Sequence, residues 1–491
     1  MSAPLPSRLS KTRFCSGVQC TRLLWWLVHD RDAPELVPGP GLQAIFDQGH
    51  RVGAAARERF PGGVLVDADH RDFAARLDQT RKALLGGAPA IFEASFAADG
   101  VFVAVDVLER QGRRWNLVEV KSTSQVKEPH HIDVAVQLHA LRSSGIDVQR
   151  ADLMHLNTAC TFPDLSNLFV RSDVTREAEA LLPGIPGEIR KLGAAIAGPL
   201  PEVKPGPQCT DPYDCPFQSR CWPALPAHHV STLYRIGKRA QAFVDDGYAT
   251  IHDLPGGVRL TGPAARQFRS VRAGAPLFEP GLAGALAAIQ SPAAFLDFET
   301  VNPAIPVWNG CHPFEAVPVQ MSCHVRSGGG ELVHHAFLAE GAGDPRPAIA
   351  DAVVAACKDA RTVVAYNAPF ERRQLEHLAA HVPARREALL DVAGRLVDLL
   401  PIVREHVYDP AFGGSFSLKS VAPALAPGLG YGDLEIGEGS QAQFALEDLL
   451  LRGEGIPDED RTRRRRQLLD YCERDTLATV RVYEKLQQVV G

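Results

Sequence analysis

Apolar residues along the chain recur with two periods. Short apolar runs and alternation predict strands at 101–108 (VFVAVDVL), 115–121 (WNLVEVK) and 151–156 (ADLMHL), with helix-period stretches between them. The block from Leu9 to about Trp222 therefore reads as α/β. A Pro- and Gly-rich stretch at 198–207 leads into a cysteine-bearing loop and PALPAH, the punctuation of a domain boundary. Residues 231–272 then carry short apolar-periodic helices broken at Gly237 and Gly247. The strand AAFLDFET, beginning at Ala293, opens a second α/β block with further strands at 320–325 and 362–366 and helices between and after them. The expected division is 1–225, a helical connector at 226–285, and 286–491.

Composition adds exclusions. The 491 residues are 45% hydrophobic and 22% charged, as in ordinary globular proteins, and suffice for two to four domains. The net charge of −6 advertises no nucleic-acid binder, so that partner must be argued from local sites. The apolar run at 23–28 is too short to span a bilayer, and no signal-peptide pattern follows the arginines before it, so the expectation is a cytoplasmic protein without a membrane partner. In that compartment ten cysteines do not read as a disulfide framework. The arginine-dense run 461–466 reads as a solvated helix start.

The first candidate chemistry lies in VFVAVDVLER and WNLVEVKS. Glu119 and Lys121 are two apart on a strand and share a face, beside Asp106 on the neighbouring strand of a hairpin. Two carboxylates can hold Mg²⁺ or Mn²⁺, and the ammonium can position water or neutralise a phosphate. Cross-strand charges also decorate ordinary surfaces, but these interrupt apolar strands, where an unpaired charge is costly. The pattern D106…E119-V-K121 resembles the PD-(D/E)XK nucleases of the RecB type, with Gln137 in DVAVQLHAL matching that group's following Gln. The group's Tyr four residues later is Leu141 here. Its early metal-binding His falls on Gly53, with His50 the nearest histidine, so an altered metal site is conceivable. Glu93 is a further acidic candidate.

Cys209, Cys215 and Cys221 crowd one loop, CTDPYDCPFQSRC, and Cys20 supplies a fourth thiolate, enough for a [4Fe–4S] cluster or a Cys₄ zinc site. One Cys before the nuclease core and three after it resembles RecB-family nucleases with an iron–sulphur staple. The first gap in the loop is longer than theirs, which keeps zinc open. Cys15 reads as a bystander.

In AAFLDFET, Asp297 and Glu299 face one side of a strand otherwise suited to a core, and paired carboxylates repel unless a cation lies between them. TVVAYNAPFERRQL presents Asn367 and Glu371 at a strand-to-helix turn, and LLDYCERDTLATV sets Tyr471 and Asp475 four apart on a helix. These three motifs, in this order, resemble those of the DnaQ-like DEDDy exonucleases. The resemblance implies an RNase H-like fold and a two-metal 3′–5′ exonuclease. Asp297, Glu299 and Asp475 would be its ligands and Tyr471 would orient water. Glu371 stands where that group usually has Asp, and Asp398, Ser417 and Lys419 lie in a stretch similar to the one between its second and third motifs. Trp308, His312 and Phe314 could stack on a base, although core packing accounts for them as well, and Tyr366 reads as core.

The expectation is an α/β multidomain nuclease for DNA or RNA: a RecB-like PD-(D/E)XK domain, a helical, helix-hairpin-helix-like connector and a DnaQ-like exonuclease domain. The combination resembles an uncharacterised bacterial family. The competing reading is a nucleic-acid-binding or scaffold protein with one or both centres inactive.

Overall fold

The computed structural model describes residues 9–453 and 455–491. It is a mixed α/β protein of two compact units, Met1–Pro223 with Ala304–Phe314, and Ala224–Pro303 with Glu315–Gly491. Among the described residues, no helix is long and apolar enough to cross a membrane.

The first unit opens with a helical hairpin, α1 (Lys11–Gln19) and α2 (Thr21–His29), then α3 (Pro40–Arg57), β1 (Val64–Leu65) and α4 (Phe73–Leu85). The strands β2 (Ala90–Ala98), β3 (Val101–Gln111) and β4 (Arg114–Lys121) follow, and α5 (Glu128–Ser143) leads to β5 (Val148–Leu156) and β6 (Phe169–Asp173). The six strands lie in sequence order. The β2–β3–β4 meander is antiparallel, while β4 and β5 are parallel because α5 crosses between them. Both faces of the central strands are apolar. Ile91, Val105 and Leu117 join a core with α1 and α5, and with α7 (Ile185–Ala197), which follows the short α6 (Thr175–Leu181). Phe92, Val107 and Val118 pack on the other face against Ala56 of α3.

Strict alternation fails where β2 pairs with β3. Ile91 and Ala94 face the same core, as do Val105 and Leu108, so one residue of each strand breaks the period. Those strands lack a ladder pair at Glu93 and Asp106, and Glu93 has φ +57°. This irregularity frees Asp106 from the ladder next to β4.

The second unit begins with the four-residue α8's successors: after α8 (Gln218–Cys221), which still belongs to the first unit, come α9 (Arg239–Asp245), α10 (Gly262–Ala273), β7 (Leu277–Phe278) and α11 (Leu282–Leu286). Its sheet is built from β8 (Ala293–Val301), β9 (Val317–Arg326) and β10 (Leu332–Leu338), and, after α12 (Arg346–Cys357), β11 (Thr362–Ala365). Then follow α13 (Pro369–His381), α14 (Arg386–Gly394), β12 (Leu396–Asp398), α15 (Leu399–His406), β13 (Val407–Tyr408), α16 (Leu418–Leu425), α17 (Gly439–Leu451) and the long α18 (Asp458–Val490). The strand order is β10-β9-β8-β11-β12, with β9 alone antiparallel to the rest of its neighbours' common direction. Ala294, Leu296 and Phe298 of β8 pack against α12, α13 and α14. Ala293 and Phe295 face the other way, toward Tyr483 of α18. Asp297 and Glu299 continue that second face.

The segment expected as a separate connector shares this core. Val230, Leu233, Ile251, Leu254 and Val271 pack with Phe295, Phe412 and Tyr483 in one cluster. The reason is size: helices as short as the seven-residue α9 cannot bury an apolar face among themselves, so they close over a larger neighbour.

Candidate functional site

In the first unit, β4 directs Glu119 and Lys121 to one face, and Lys121 Nζ lies 2.7 Å from Glu119 Oε1. Asp106 sits alongside, its Oδ2 accepting the Val120 N–H at 2.7 Å in place of a ladder bond. Gln137 of α5 donates to Glu119 Oε2 at 2.8 Å. Two further residues complete the cluster, neither predicted. Lys11, in the first turn of α1, reaches both Glu119 oxygens at 2.9 and 3.1 Å. Asp133 of α5 accepts from Lys121 and faces Lys11 at 3.6 Å. Asp133 was signalled by its place one turn before Gln137 on the same helix face. Lys11, 108 residues from Glu119, left no signal in the local pattern.

Three carboxylates here meet two ammonium groups, and the electrostatics follow. Burial works to raise Glu119, but Lys11 and Lys121 overcome it and hold the carboxyl well below its ordinary range. Burial and then Glu119 push Asp106 up to about 7. Both oxygens of Glu119 are already engaged by N–H donors, so a divalent ion reaches this carboxylate only if the Lys11 ammonium leaves. As arranged, these residues do not fit the Mg²⁺ or Mn²⁺ that the PD-(D/E)XK resemblance implies. The expected histidine is also missing: His50 is exposed, and a side chain at Gly53 would point into open space. Glu93 pairs with Arg76 at 3.4 Å.

Cys20, at the junction of α1 and α2, is gathered with Cys215 and Cys221 around Leu23, Trp26 and Phe217. Cys209 joins them through the Cys215 N–H, which donates to its carbonyl at 2.8 Å. Burial raises the Cys215 thiol, and so does the proximity of Cys20, Cys209 and Cys221. Among the described residues, no three of these sulphurs fall within 4.8 Å of one another. Thiols gathered from two segments are the donor type that an iron–sulphur cluster and zinc both take. Cys15 faces Asp133 and Lys11 instead, and burial pushes its thiol up to about 12.

The second unit brings Asp297 and Glu299 of β8 together with Asp475 of α18, one oxygen of each lying within 4.8 Å of the others. Among the described residues, no ammonium bonds to any of them. The charge of Lys419 of α16 acts to lower Glu299 and Asp475, but its Nζ donates to the Gly437 carbonyl at 2.6 Å. The carboxylates are therefore frustrated. Burial, then Asp475 and Glu299, raises Asp297 well above its ordinary value, and burial with Asp475 pushes Glu299 up to about 8. Glu371, in the first turn of α13, is buried with Oε2 unpartnered and is pushed up to about 8, first by burial. It repels Asp297 and Glu299 but stands outside the tight three-acid group. Three half-buried acids and the buried Glu371, without a bonded cation among the described residues, fit a hard divalent ion, whose oxygen-ligand chemistry this set supplies.

Tyr471, buried one turn before Asp475, is raised by burial and by that carboxylate. Tyr431 donates to Asp475 Oδ1 and was not predicted, since it lies in the irregular loop between α16 and α17 where no periodicity marks it. Asp398 caps α15, accepting the Leu400 N–H at 3.0 Å, and also takes the Asn367 N–H at 3.0 Å. Asn367 itself adopts φ +81°, so the strand-to-helix turn carrying Glu371 is pinned from β12. A cavity of about 540 Å³ opens on Asp297, Asp475 and Lys419, with Tyr234, Tyr366 and Phe416 among its walls. Tyr366 packs against the core, as expected, and also forms part of this wall, its OH donating to the Phe416 carbonyl at 2.7 Å. Trp308 is buried within the first unit, and His312 bonds the Cys160 carbonyl there, so both serve packing.

Residues 294–417 match the domain of unknown function DUF2779. The match takes in Asp297, Glu299, Glu371, Asp398 and Ser417 and stops short of Lys419, Tyr471 and Asp475. No curated protein matches the chain.

Proposed function

We propose that the second unit is a metal-dependent 3′–5′ exonuclease hydrolysing phosphodiester bonds of DNA or RNA. The observation that carries this reading is the set Asp297, Glu299 and Asp475, half-buried, without a bonded ammonium among the described residues, and open through Asp297 and Asp475 to a cavity of nucleotide size with aromatic walls. The strand order, third-second-first-fourth-fifth with the second reversed, is that expected of an RNase H-like domain and supports the same reading. Mg²⁺ or Mn²⁺ bound by these carboxylates would supply Lewis-acid stabilisation of charge on the phosphate. Around them, Tyr471 would hold the attacking water, with Tyr431 fixing the Asp475 carboxylate that Tyr471 also contacts. Lys419, beside the acids but tethered to Gly437, would meet the substrate's phosphate charge. Tyr234, Tyr366 and Phe416 offer faces and edges on which a terminal base can stack.

In this reading the first unit grips nucleic acid without metal-dependent chemistry, because its own ammonium groups already compensate Glu119. Its cysteine quartet Cys20, Cys209, Cys215 and Cys221 holds a [4Fe–4S] cluster, with zinc the alternative that the absence of colour after anaerobic purification would favour. The decisive experiment is digestion of end-labelled single- and double-stranded DNA and RNA with Mg²⁺ or Mn²⁺. Wild type should shorten at least one substrate from its 3′ end. Asp297→Asn should not, and equal activity in the two would sink the proposal.

A further inference from the structure

A second group of ligand-type side chains lies on the same sheet. His324 of β9 and His334 of β10 are direct register partners, their rings stacked 4.4 Å apart, and Glu473 of α18 comes within 3.7 Å of His334 Nδ1. One ligand atom of each residue lies within 4.8 Å of the others.

Hydrogen-bond counting fixes what these rings present. His324 Nδ1 meets Thr476 Oγ1 at 2.8 Å, Thr476 Oγ1 meets Ser322 Oγ at 2.6 Å, and Ser322 Oγ meets His334 Nε2 at 2.9 Å. The chain contains only two hydroxyl protons. Thr476 uses its proton on the Glu473 carbonyl at 3.1 Å, the usual back-bond of a helical threonine. Ser322 then donates to Thr476. For every bond in the chain to be made, both imidazoles must donate, His324 from Nδ1 and His334 from Nε2. Each ring is thereby set in the tautomer whose lone pair lies on its other nitrogen, His324 Nε2 and His334 Nδ1. The His334 Nδ1 lone pair thus faces the Glu473 carboxylate at 3.7 Å, and a lone pair and a carboxylate repel unless a cation joins them.

We propose that His324, His334 and Glu473 bind one divalent transition-metal ion, zinc being the probe, at a site separate from the Asp297–Glu299–Asp475 group. Two imidazoles and one carboxylate suit such an ion better than Mg²⁺, which prefers oxygen. Ser322 and Thr476 act as the outer hydrogen-bond partners that orient ligating histidines. The site is independent of the exonuclease reading, although it is built next to it: Ser322 pairs with Asp297 in the sheet, and Thr476 follows Asp475.

The test is zinc stoichiometry by equilibrium dialysis of the full chain in excess Mg²⁺, which fills oxygen-only sites. Wild type and Asp297→Asn should each bind one more equivalent of zinc than His334→Ala. Glu473→Gln, at a position that is 45% exposed and tolerant of change, should lower the affinity of that equivalent at least about tenfold, and Ser322→Ala by about 10 to 100-fold. His334→Cys, which supplies another zinc ligand, should restore binding. Equal stoichiometry in wild type, His334→Ala and Glu473→Gln would overturn the proposal. Loss of the equivalent in Asp297→Asn would also overturn it, by assigning that zinc to the acidic centre.

Discussion

Replacing Asp297 with Asn should make the metal-free protein more stable, not less. In the absence of divalent ions, Asp297, Glu299 and Asp475 share one half-buried site without a bonded counter-charge among the described residues. Glu299 titrates near 8 rather than its ordinary 4.5. A carboxyl raised in the folded state favours folding while protonated, so its contribution is intact below about 4.5 and is lost as pH rises toward 8. For a single group the change is on the order of 5 kcal/mol, and because the acids share protons a net loss of roughly 2 to 4 kcal/mol is the expectation. Asp297→Asn removes the charge that Glu299 and Asp475 bear against and keeps the volume. It should recover about 1 to 2 kcal/mol of that loss at pH 8. The assay is urea unfolding in EDTA from pH 5 to 9, followed by a signal specific to the second unit, and repeated with Mg²⁺. Wild type in EDTA should lose stability as pH rises, and Mg²⁺ at about 100 times its dissociation constant should return about 2.7 kcal/mol. The variant should show a shallower slope and a smaller Mg²⁺ effect. A wild-type curve that is flat or rising between pH 5 and 8 in EDTA, with Asp297→Asn no more stable, would refute the electrostatic reasoning.

Three further outcomes follow from the same structure. Tyr471→Phe should slow 3′-end hydrolysis about 10 to 100-fold while leaving Mg²⁺-induced thermal stabilisation unchanged, which separates orienting water from binding metal. Lys11→Ala should destabilise the first unit by about 3 kcal/mol at pH 7, measured by unfolding at several pH values. Glu119 is held low, so that cost should fade as pH drops through and below its ordinary 4.5, and the variant should gain Mn²⁺ affinity that wild type lacks at this position. Cys209→Ser should abolish the visible absorbance of anaerobically purified protein and lower the thermal midpoint of the first unit by several degrees.

What the sequence revealed depended on distance along the chain. Asp297 with Glu299, and Tyr471 with Asp475, are each readable because strand and helix periods put two and four residues on one face. Their convergence followed from motif order. The Glu119–Lys121 pair was readable for the same reason. The Lys11 ammonium was not, since its role depends on how α1 lies against α5 and β4, which no local period encodes. Asp106 was placed correctly, but its bond to the Val120 N–H depends on a break in alternation that the apolar run VFVAVDVL conceals. Tyr431 sits in a loop whose conformation is set by Arg474 and Lys419, bonded to the Gly430 and Gly437 carbonyls. The 226–285 segment shows helices but not their partner, because the apolar faces of short helices look alike whether they cover each other or a neighbouring core.

The first unit is discontinuous, since Ala304–Phe314 belong to it although they follow β8 of the second. Ala304 completes a cluster with Val52, Leu156 and Leu168, and the Cys311 carbonyl takes the Phe162 N–H at 3.0 Å. During synthesis, then, the N-terminal unit cannot finish its core until the ribosome has passed residue 314, by which time β8 and its two acids are already translated. The usual order of N-terminal domain first, next domain later, is replaced by one interleaved folding event. A cut near residue 224, natural for two beads on a string, would release an N-terminal fragment with an open wound at Leu156 and Leu168 and a strong tendency to aggregate.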